Sequence, residues 1–145
     1  MLSERKSARS PDFIIGGTEN PYLLRWWVIP RNRWFNIYLH HMLRDDDPRA
    51  LHDHPWWNVS IVLKGGYMEH RAHGLPVWRG PGSVVLRRAT VAHRLTLGFG
   101  AGPCWSLFIT GPKVREWGFH CPQGWRHHVE FCAPDDSGRV GRGCE

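Results

Sequence analysis

Two histidines stand one residue apart, at His52 and His54, and a third, His93, follows about forty residues later. Side chains two positions apart in a β-strand project from the same face, so the first pair can reach one metal ion together. His93 follows a glycine turn and opens a second short apolar run, HRLTL. Three imidazoles on two strands of a β-barrel would leave positions on a metal for water, substrate or dioxygen. The pattern therefore predicts a potentially catalytic metal site.

The residues after the histidine pair continue the same alternation. Trp56, Asn58 and Ser60 share the parity of His54, whereas the opposite parity is apolar from Trp57 to Leu63. We expect Trp56 at the mouth of the pocket. Asn58 is a candidate to hold a substrate or a water beside the metal.

The sequence KGGY predicts a two-residue hairpin at Gly65 and Gly66. In that register Glu69 and Arg71 share the metal-facing side. Glu69 is then a candidate catalytic base or fourth ligand, and Arg71 a candidate anchor for a substrate carboxylate or phosphate. A slip of one residue would turn both side chains outward.

His40 and His41 are neighbours, so only one of them can face inward. His40 shares its parity with Asn36 and Tyr38 and is a candidate substrate-binding residue. The alternative is that either histidine lies on the outer surface. Asp53 points away from the metal in a regular strand, and we expect it to orient a neighbouring loop or imidazole.

Short apolar runs must position these side chains. Sixteen Gly and eleven Pro punctuate the chain, and regularly spaced runs between such turns are typical of an all-β sandwich or barrel. In 145 residues we expect one domain, with an N-terminal arm at 1–20, a barrel at 21–133 and a flexible tail at 134–145. The runs are LLRWWVI, RWFNIYLHHML, WNVSIVL, YMEHRA, SVVLRR, HRLTL and CWSLFIT.

The composition excludes several classes of protein. The formal charge of +6 is scattered, and no nucleic-acid reading element accompanies it, so a basic surface or a pocket for an anionic small molecule is the simpler interpretation. No apolar run approaches the roughly 18 residues of a membrane span. The four cysteines are irregularly spaced without a CxxC pair, which argues against a disulfide scaffold or a zinc ribbon. We expect a reduced, cytoplasmic protein.

The segment LHDHPWWNVSIVLKGGY resembles the first cupin motif, G(x)5HxH(x)3-4E(x)6G, with His52, His54, Asn58 and Gly65 at matching positions. The stretch from Gly82 to His93 resembles the second motif, and together the two cover about a third of the chain. The flanking phrases HDHPW, GGY and REWGF resemble a branch of small bacterial or phage cupins. The resemblance implies a jelly-roll β-barrel with a metal inside. Asn58 stands where the motif has glutamate, and some cupin dioxygenases bind iron with three histidines alone.

The resemblance also sets the functional expectations. The leading one is a mononuclear non-haem iron dioxygenase, an oxidoreductase that acts on a small polar or anionic compound. Fe(II) is the favoured divalent metal, with Zn, Mn or Ni as alternatives. Two other functions stay open: a non-catalytic small-molecule-binding or sensor cupin, and a metal-dependent isomerase or epimerase. Cupins often pair through their sheets, so a homodimer is also expected, with LLRWWVI suited to an inter-subunit strand.

Overall fold

The structure is a computed structural model that describes residues 9–46, 50–98 and 102–145. Within these ranges the chain forms fourteen β-strands and one helix of a single turn, which confirms the all-β class. The elements are β1 (Phe13–Ile15), β2 (Leu23–Trp27), β3 (Asn36–Met42), β4 (Leu51–His52), β5 (Asn58–Lys64), β6 (Tyr67–Arg71), β7 (Val77–Arg79), β8 (Val84–Arg87), β9 (His93–Thr96), β10 (Cys104–Thr110), β11 (Gly118–Cys121), β12 (Gly124–His127), α1 (His128–Phe131), β13 (Cys132–Ala133) and β14 (Asp136–Val140).

Twelve of these strands form two six-stranded antiparallel sheets that enclose the interior of the barrel. The first sheet has the order β1-β2-β3-β10-β5-β8, and the second has the order β12-β11-β4-β9-β6-β7. Each of the seven apolar runs contains one strand of these sheets. The jelly-roll architecture expected from the sequence is therefore confirmed.

The long strands of the first sheet alternate regularly between buried and partly exposed residues. The buried, inward side chains of β3 include Asn36, Tyr38 and His40, while the residues between them are apolar. In β5, Asn58 and Ser60 are buried. The inner face of this sheet is thus unusually polar for a barrel interior.

The chain changes sheets at the sequence KGGY, and the predicted hairpin is wrong. β5 pairs with β8 and β10 in the first sheet, whereas β6 pairs with β7 and β9 in the second. Gly65 makes this turn with a φ of 75°, a conformation that glycine adopts without strain. A side chain at Gly65 would also collide with the carbonyl of Pro103.

Both ends of the described chain are built into the barrel. β1 extends the first sheet by pairing with β2, and β14 pairs with β13 and contacts β1. At this contact Gly138 approaches Ile15 so closely that any side chain there would collide. β1 lies within the expected arm and β14 within the expected tail, while residues 1–8 of the arm lie outside the described residues.

A disulfide corrects the expectation of reduced cysteines. Cys121 on β11 is bonded to Cys144 across a sequence separation of 23 residues, whereas Cys104 and Cys132 are free and buried. The pairing depends on the return of the C-terminal segment to β11, which cysteine spacing does not reveal. The cysteine spacing is therefore no argument for a reducing compartment.

The apolar packing lies in two clusters. One cluster lies between the two sheets and consists of Tyr22, Leu23, Met42, Val62, Tyr67 and Cys104. A smaller cluster joins the C-terminal helix to β11 through Phe119, Phe131 and Cys132. In the three described ranges no helix is long and apolar enough to span a bilayer.

Candidate metal centre

The three predicted ligands converge on one point inside the barrel. His52 on β4 and His93 on β9 are a direct cross-strand pair. His54 follows β4, where its backbone N–H donates to the carbonyl of Ala89 at 3.0 Å. The ring centroids are 5.2, 5.0 and 4.9 Å apart, and one ligand atom from each residue lies within 4.8 Å of the other two. This is a group that could hold one metal ion.

Carboxylates stand behind two of the three imidazoles. Nδ1 of His93 donates a hydrogen bond to Oε2 of Glu69 at 2.6 Å. Nδ1 of His52 lies 3.3 Å from Oδ2 of Asp46. A carboxylate at one ring nitrogen fixes the tautomer and leaves the lone pair of Nε2 for a metal. Asp46 was missed by sequence reasoning because RDDDPRAL resembles a solvated loop.

The buried imidazoles of the group are neutral, the form that binds metals. Burial lowers the pKa of His93 to about 3, although its hydrogen bond with Glu69 opposes this change. Burial, together with the neighbouring His93 and His52, lowers the pKa of His54 well below its ordinary value. Nδ1 of His54 is buried without a hydrogen-bond partner among the described residues.

Glu69 is an ionised carboxylate enclosed by arginines. Oε1 accepts from Arg79 at 2.9 Å, and Oε2 accepts from Arg87 at 2.5 Å. Burial alone would raise the pKa of Glu69, but hydrogen bonds from His93 and Arg87 hold it well below its ordinary value. A carboxylate held in this way is a weak base. Its position behind His93 therefore suits orientation of the imidazole better than the catalytic or fourth-ligand role expected from the sequence.

The other predicted site residues separate into two groups. Trp56 and His40 line the cavity in front of the histidines. Trp56 stacks on His54 with ring centroids 5.4 Å apart. Asn58 is fully buried behind the cavity lining, where its Oδ1 accepts from Arg87 at 3.1 Å. The side chain of Arg71 is 39% exposed and lies 3.5 Å from Glu69, so neither Asn58 nor Arg71 contributes to the described cavity wall.

A cavity of about 340 Å³ opens in front of the imidazoles. Both sheets contribute to it, including the edge strand β1, and so does β14 at Ser137 and Gly138. Arg25, on β2, also lines it, and sequence reasoning missed this residue. The available signal was a single charged residue at an inward position of the run LLRWWVI.

Asp53, between the two ligands of the pair, is buried and holds the neighbouring β11. Its Oδ1 accepts from the backbone N–H of Gly118 at 2.8 Å. Its Oδ2 accepts from Nε1 of Trp125 at 3.0 Å and lies 3.1 Å from Nε2 of His120. Burial opposes ionisation, but hydrogen bonds from Arg115 and Gly118 prevail and lower the pKa of Asp53.

A second group with metal-ligand chemistry, Glu116, His127 and His128, lies at the surface. Nδ1 of His127 accepts the backbone N–H of Val129 at 3.2 Å, so Nε2 carries the proton and donates to Glu116 at 3.1 Å. That imidazole has no free lone pair for a metal. The buried histidines remain the better candidate centre.

Comparison with known proteins supports the architecture. No protein-family model matches the chain, and no curated protein sequence matches it. Among solved structures, DMSP lyase DddQ from Ruegeria pomeroyi is 16% identical with a TM-score of 0.55, over 71% of this chain and 54% of the lyase. The chain thus spans about half the length of that enzyme.

Two further structures match over most of their own length. A cupin-like protein from Thermotoga maritima is 14% identical with a TM-score of 0.55, over 76% of this chain and 88% of that one. A protein with a double-stranded β-helix domain from Klebsiella pneumoniae is 14% identical with a TM-score of 0.55, over 73% and 90%. At these identities the likeness concerns the fold.

Proposed function

This chain is a cupin by fold, and we propose that it is a metal-dependent enzyme in which His52, His54 and His93 hold one divalent ion. The activity we favour is that of a mononuclear Fe(II) dioxygenase acting on a small polar or anionic compound. The observation that carries this proposal is the triangle of imidazoles, whose ring nitrogens approach within 4.8 Å of one another.

The donor set fits such an ion. Three neutral imidazoles suit the later first-row metals, including iron and zinc. Nδ1 of His93 is hydrogen-bonded to Glu69, and Nδ1 of His52 lies 3.3 Å from Asp46, so the His93 ring at least is oriented before a metal arrives. When bound, an iron ion would supply the redox chemistry and the open positions at which substrate and dioxygen meet.

The chain's own residues would shape the site and exclude water from it. Trp56 and Phe108 pack edge to face, with centroids 5.6 Å apart, and both line the cavity. They cover one side of His54 and exclude water from it. Glu69 would keep the proton of His93 on Nδ1, so the other nitrogen stays available. Water exclusion strengthens every electrostatic contact inside the cavity.

The test is the metal content of the purified protein and its variants. We expect close to one equivalent of a divalent metal in the unmodified chain, and loss of most of it in His52→Ala and His93→Ala. His73→Ala is the matched control, since His73 is exposed and lies outside the group. Full occupancy in both ligand variants would refute the site, provided circular dichroism shows that they are folded.

Two alternative functions differ from the dioxygenase in whether substrate and dioxygen are consumed. A sensor or carrier cupin would bind a small molecule without consuming dioxygen, an interpretation favoured by Asn58 standing in place of the motif glutamate. An isomerase or epimerase would convert its substrate without dioxygen and would work with Zn, Mn or Ni as a Lewis acid. Oxygen-electrode measurements on the iron-loaded protein separate the dioxygenase from the other two functions, and product analysis on the zinc-loaded protein separates the isomerase, which converts its substrate, from the sensor, which does not.

We also propose that the chain forms a homodimer through the outer face of the first sheet. Val84 and Leu86 on β8 are 66% and 71% exposed, and Leu63 on β5 is 48% exposed. A continuous apolar face of this kind is costly in water. The outward residues Leu39, Ile61 and Leu107 lie on the strands between β2 and β8 and continue the apolar surface. A second copy would cover it by a two-fold contact.

A further inference from the structure

We infer that the ligand of this cavity carries a carboxylate group that binds Arg25, on the wall opposite the three histidines. The inference rests on the proposed metal centre for the other end of the ligand. The histidines belong to the second sheet and to the segment just after β4, whereas Arg25 belongs to the first sheet. A molecule that fills the cavity would therefore have a metal-facing end and an anionic end.

Arg25 begins a row of polar side chains across three strands. Arg25 on β2 is the cross-strand partner of His40 on β3, which is in turn the partner of Ser106 on β10. All three line the cavity. Directly opposed residues in neighbouring strands are close enough for their side chains to act together. The row therefore offers a guanidinium, an imidazole and a hydroxyl to one ligand group.

The guanidinium of Arg25 has no carboxylate partner in the described part of the chain. Its Nε donates to Nε2 of His40 at 2.9 Å, and its Cζ lies 4.3 Å over the ring of Tyr38. These contacts fix the plane of the group and leave both terminal nitrogens without a protein acceptor among the described residues. Arg87 is the contrast, because its nitrogens are all engaged by Glu69, Asn58, Ser60 and Tyr67.

The charge of Arg25 favours an anion beside its terminal nitrogens. Burial lowers the pKa of Arg25 to about 10, so the group stays charged at neutral pH while its charge is poorly compensated. His40 accepts from Arg25 and is therefore the Nδ1–H tautomer, with a second donor for the ligand. A planar guanidinium with one positive charge can bind a carboxylate through two parallel hydrogen bonds. It therefore matches a carboxylate better than a phosphate dianion.

Much of the rest of the cavity wall is apolar. Phe108 stacks on His40 with centroids 4.9 Å apart and lies 6.4 Å from His54. Met42 and Leu95 also line the cavity. The ligand class is therefore a short carboxylic acid with an apolar middle and a metal-binding group at its far end.

The experiment uses the metal-loaded protein and a graded series of short ω-hydroxy carboxylates, each paired with its uncharged amide. Calorimetric titration and the shift in Tm report binding. We expect the carboxylates to bind and raise the Tm, and the amides to have little effect. In Arg25→Met the Kd should rise by roughly 10- to 100-fold, the range expected for loss of hydrogen bonds to a charged group. Arg25→Lys should retain part of the affinity.

Arg33→Met is the matched control, because it removes the same charge from an exposed position beside Trp34 and should bind like the unmodified chain. Equal binding of acids and amides, or unchanged binding in a folded Arg25→Met, would overturn the inference. Loss of binding in Arg71→Met instead would assign the anchor to Arg71. Tighter binding of inorganic phosphate than of every carboxylate would contradict the ligand class.

The metal content of each variant separates this inference from the proposed metal centre. Arg25→Met should keep its metal, and His93→Ala should keep a weakened, Arg25-dependent affinity for the carboxylates. Carboxylate binding through Arg25 in a chain that takes up no metal would refute the metal centre alone. Full metal occupancy without any preference for carboxylates would refute the anion site alone.

Discussion

Oε2 of Glu69 lies 2.6 Å from Nδ1 of His93, and the two residues are only 1% and 3% exposed. The same carboxylate neutralises Arg87, whose side chain is fully buried. Glu69 therefore links the candidate metal ligand to an internal charge network. Substitutions can separate the effect of Glu69 on metal binding from its effect on the stability of the charge network.

Glu69→Gln keeps the shape of the side chain but removes its charge. We expect metal affinity to fall by about 10- to 100-fold, the usual effect of losing a carboxylate behind a ligating imidazole. Stability should fall as well, by about 3–5 kcal/mol, because a buried arginine loses its counter-ion. Competition with a chromophoric chelator measures the first effect and urea unfolding the second.

Arg79→Met is the control for Glu69→Gln. Arg79 contacts Oε1 of Glu69, so its loss should reduce stability while leaving the contact with His93 intact. Metal affinity is expected to stay within a few-fold of the unmodified chain. If both variants lose metal affinity equally, Glu69 acts only through the stability of the barrel.

The stability of the metal-free protein should fall as the pH drops below about 6.5. Burial, and secondarily the charge of Arg25, lowers the pKa of His40 well below the ordinary histidine value of 6.5. The unfolded chain then binds a proton that the folded chain does not, so acid favours unfolding. His54 and His93 act in the same direction.

His40→Gln should make this pH dependence shallower, by up to about 1.4 kcal/mol per pH unit between pH 6.5 and pH 5. Urea unfolding in the presence of a chelator, repeated across this range, gives the slope. His73→Gln serves as the exposed control and should leave the slope unchanged. Equal slopes for His40→Gln and the unmodified chain would mean that His40 is protonated inside the barrel.

Reduction of the disulfide should loosen the C-terminal segment. The bond between Cys121 and Cys144 closes a loop across a separation of 23 residues, and removing such a link costs about 3 kcal/mol in the chain-entropy account. Dithiothreitol should lower the Tm and speed tryptic cleavage at Arg139 and Arg142. Cys144→Ser should already show both changes and respond no further to dithiothreitol; an equal response in this variant would locate the effect elsewhere.

The proposed dimer is tested on the edge strand β8. Leu86→Glu places a charge on the apolar outer face and should shift the molar mass measured by light scattering from dimer to monomer. Leu75→Glu is the control, since Leu75 is 88% exposed but lies between β6 and β7, outside that face. A monomeric unmodified chain would contradict the proposal directly.

Most of the correct predictions came from the alternation of side chains along individual strands. The parity of side chains along one strand is a property of that strand alone, so Asn58 and Ser60 were correctly expected inside. Glu69 was expected inward only through the hairpin register; it is buried although that hairpin is wrong, whereas Arg71 is 39% exposed. The partner strand of β6 could not be predicted, because pairing with β9 depends on a crossing between sheets rather than on the residues of the turn.

The site residues that were missed depend on contacts distant in sequence. Asp46 reaches His52 from a loop whose acidic composition is typical of a solvated surface. Arg25 lies in an apolar run and becomes a cavity residue only when β2 joins β3. The return of Cys144 to β11 likewise cannot be inferred from spacing, because 23 intervening residues permit many paths.

The two ends of the described chain meet over the same cavity, with Ile15 and Gly138 in close contact at its wall. β1 is a short edge strand and, among the described strands, β14 pairs only with β13, and such strands open more readily than the central strands of a sheet, without global unfolding. The local opening of β1 and β14 would then set the residence time of a small molecule in this barrel. Exchange of ligand would need no rearrangement of the three histidines.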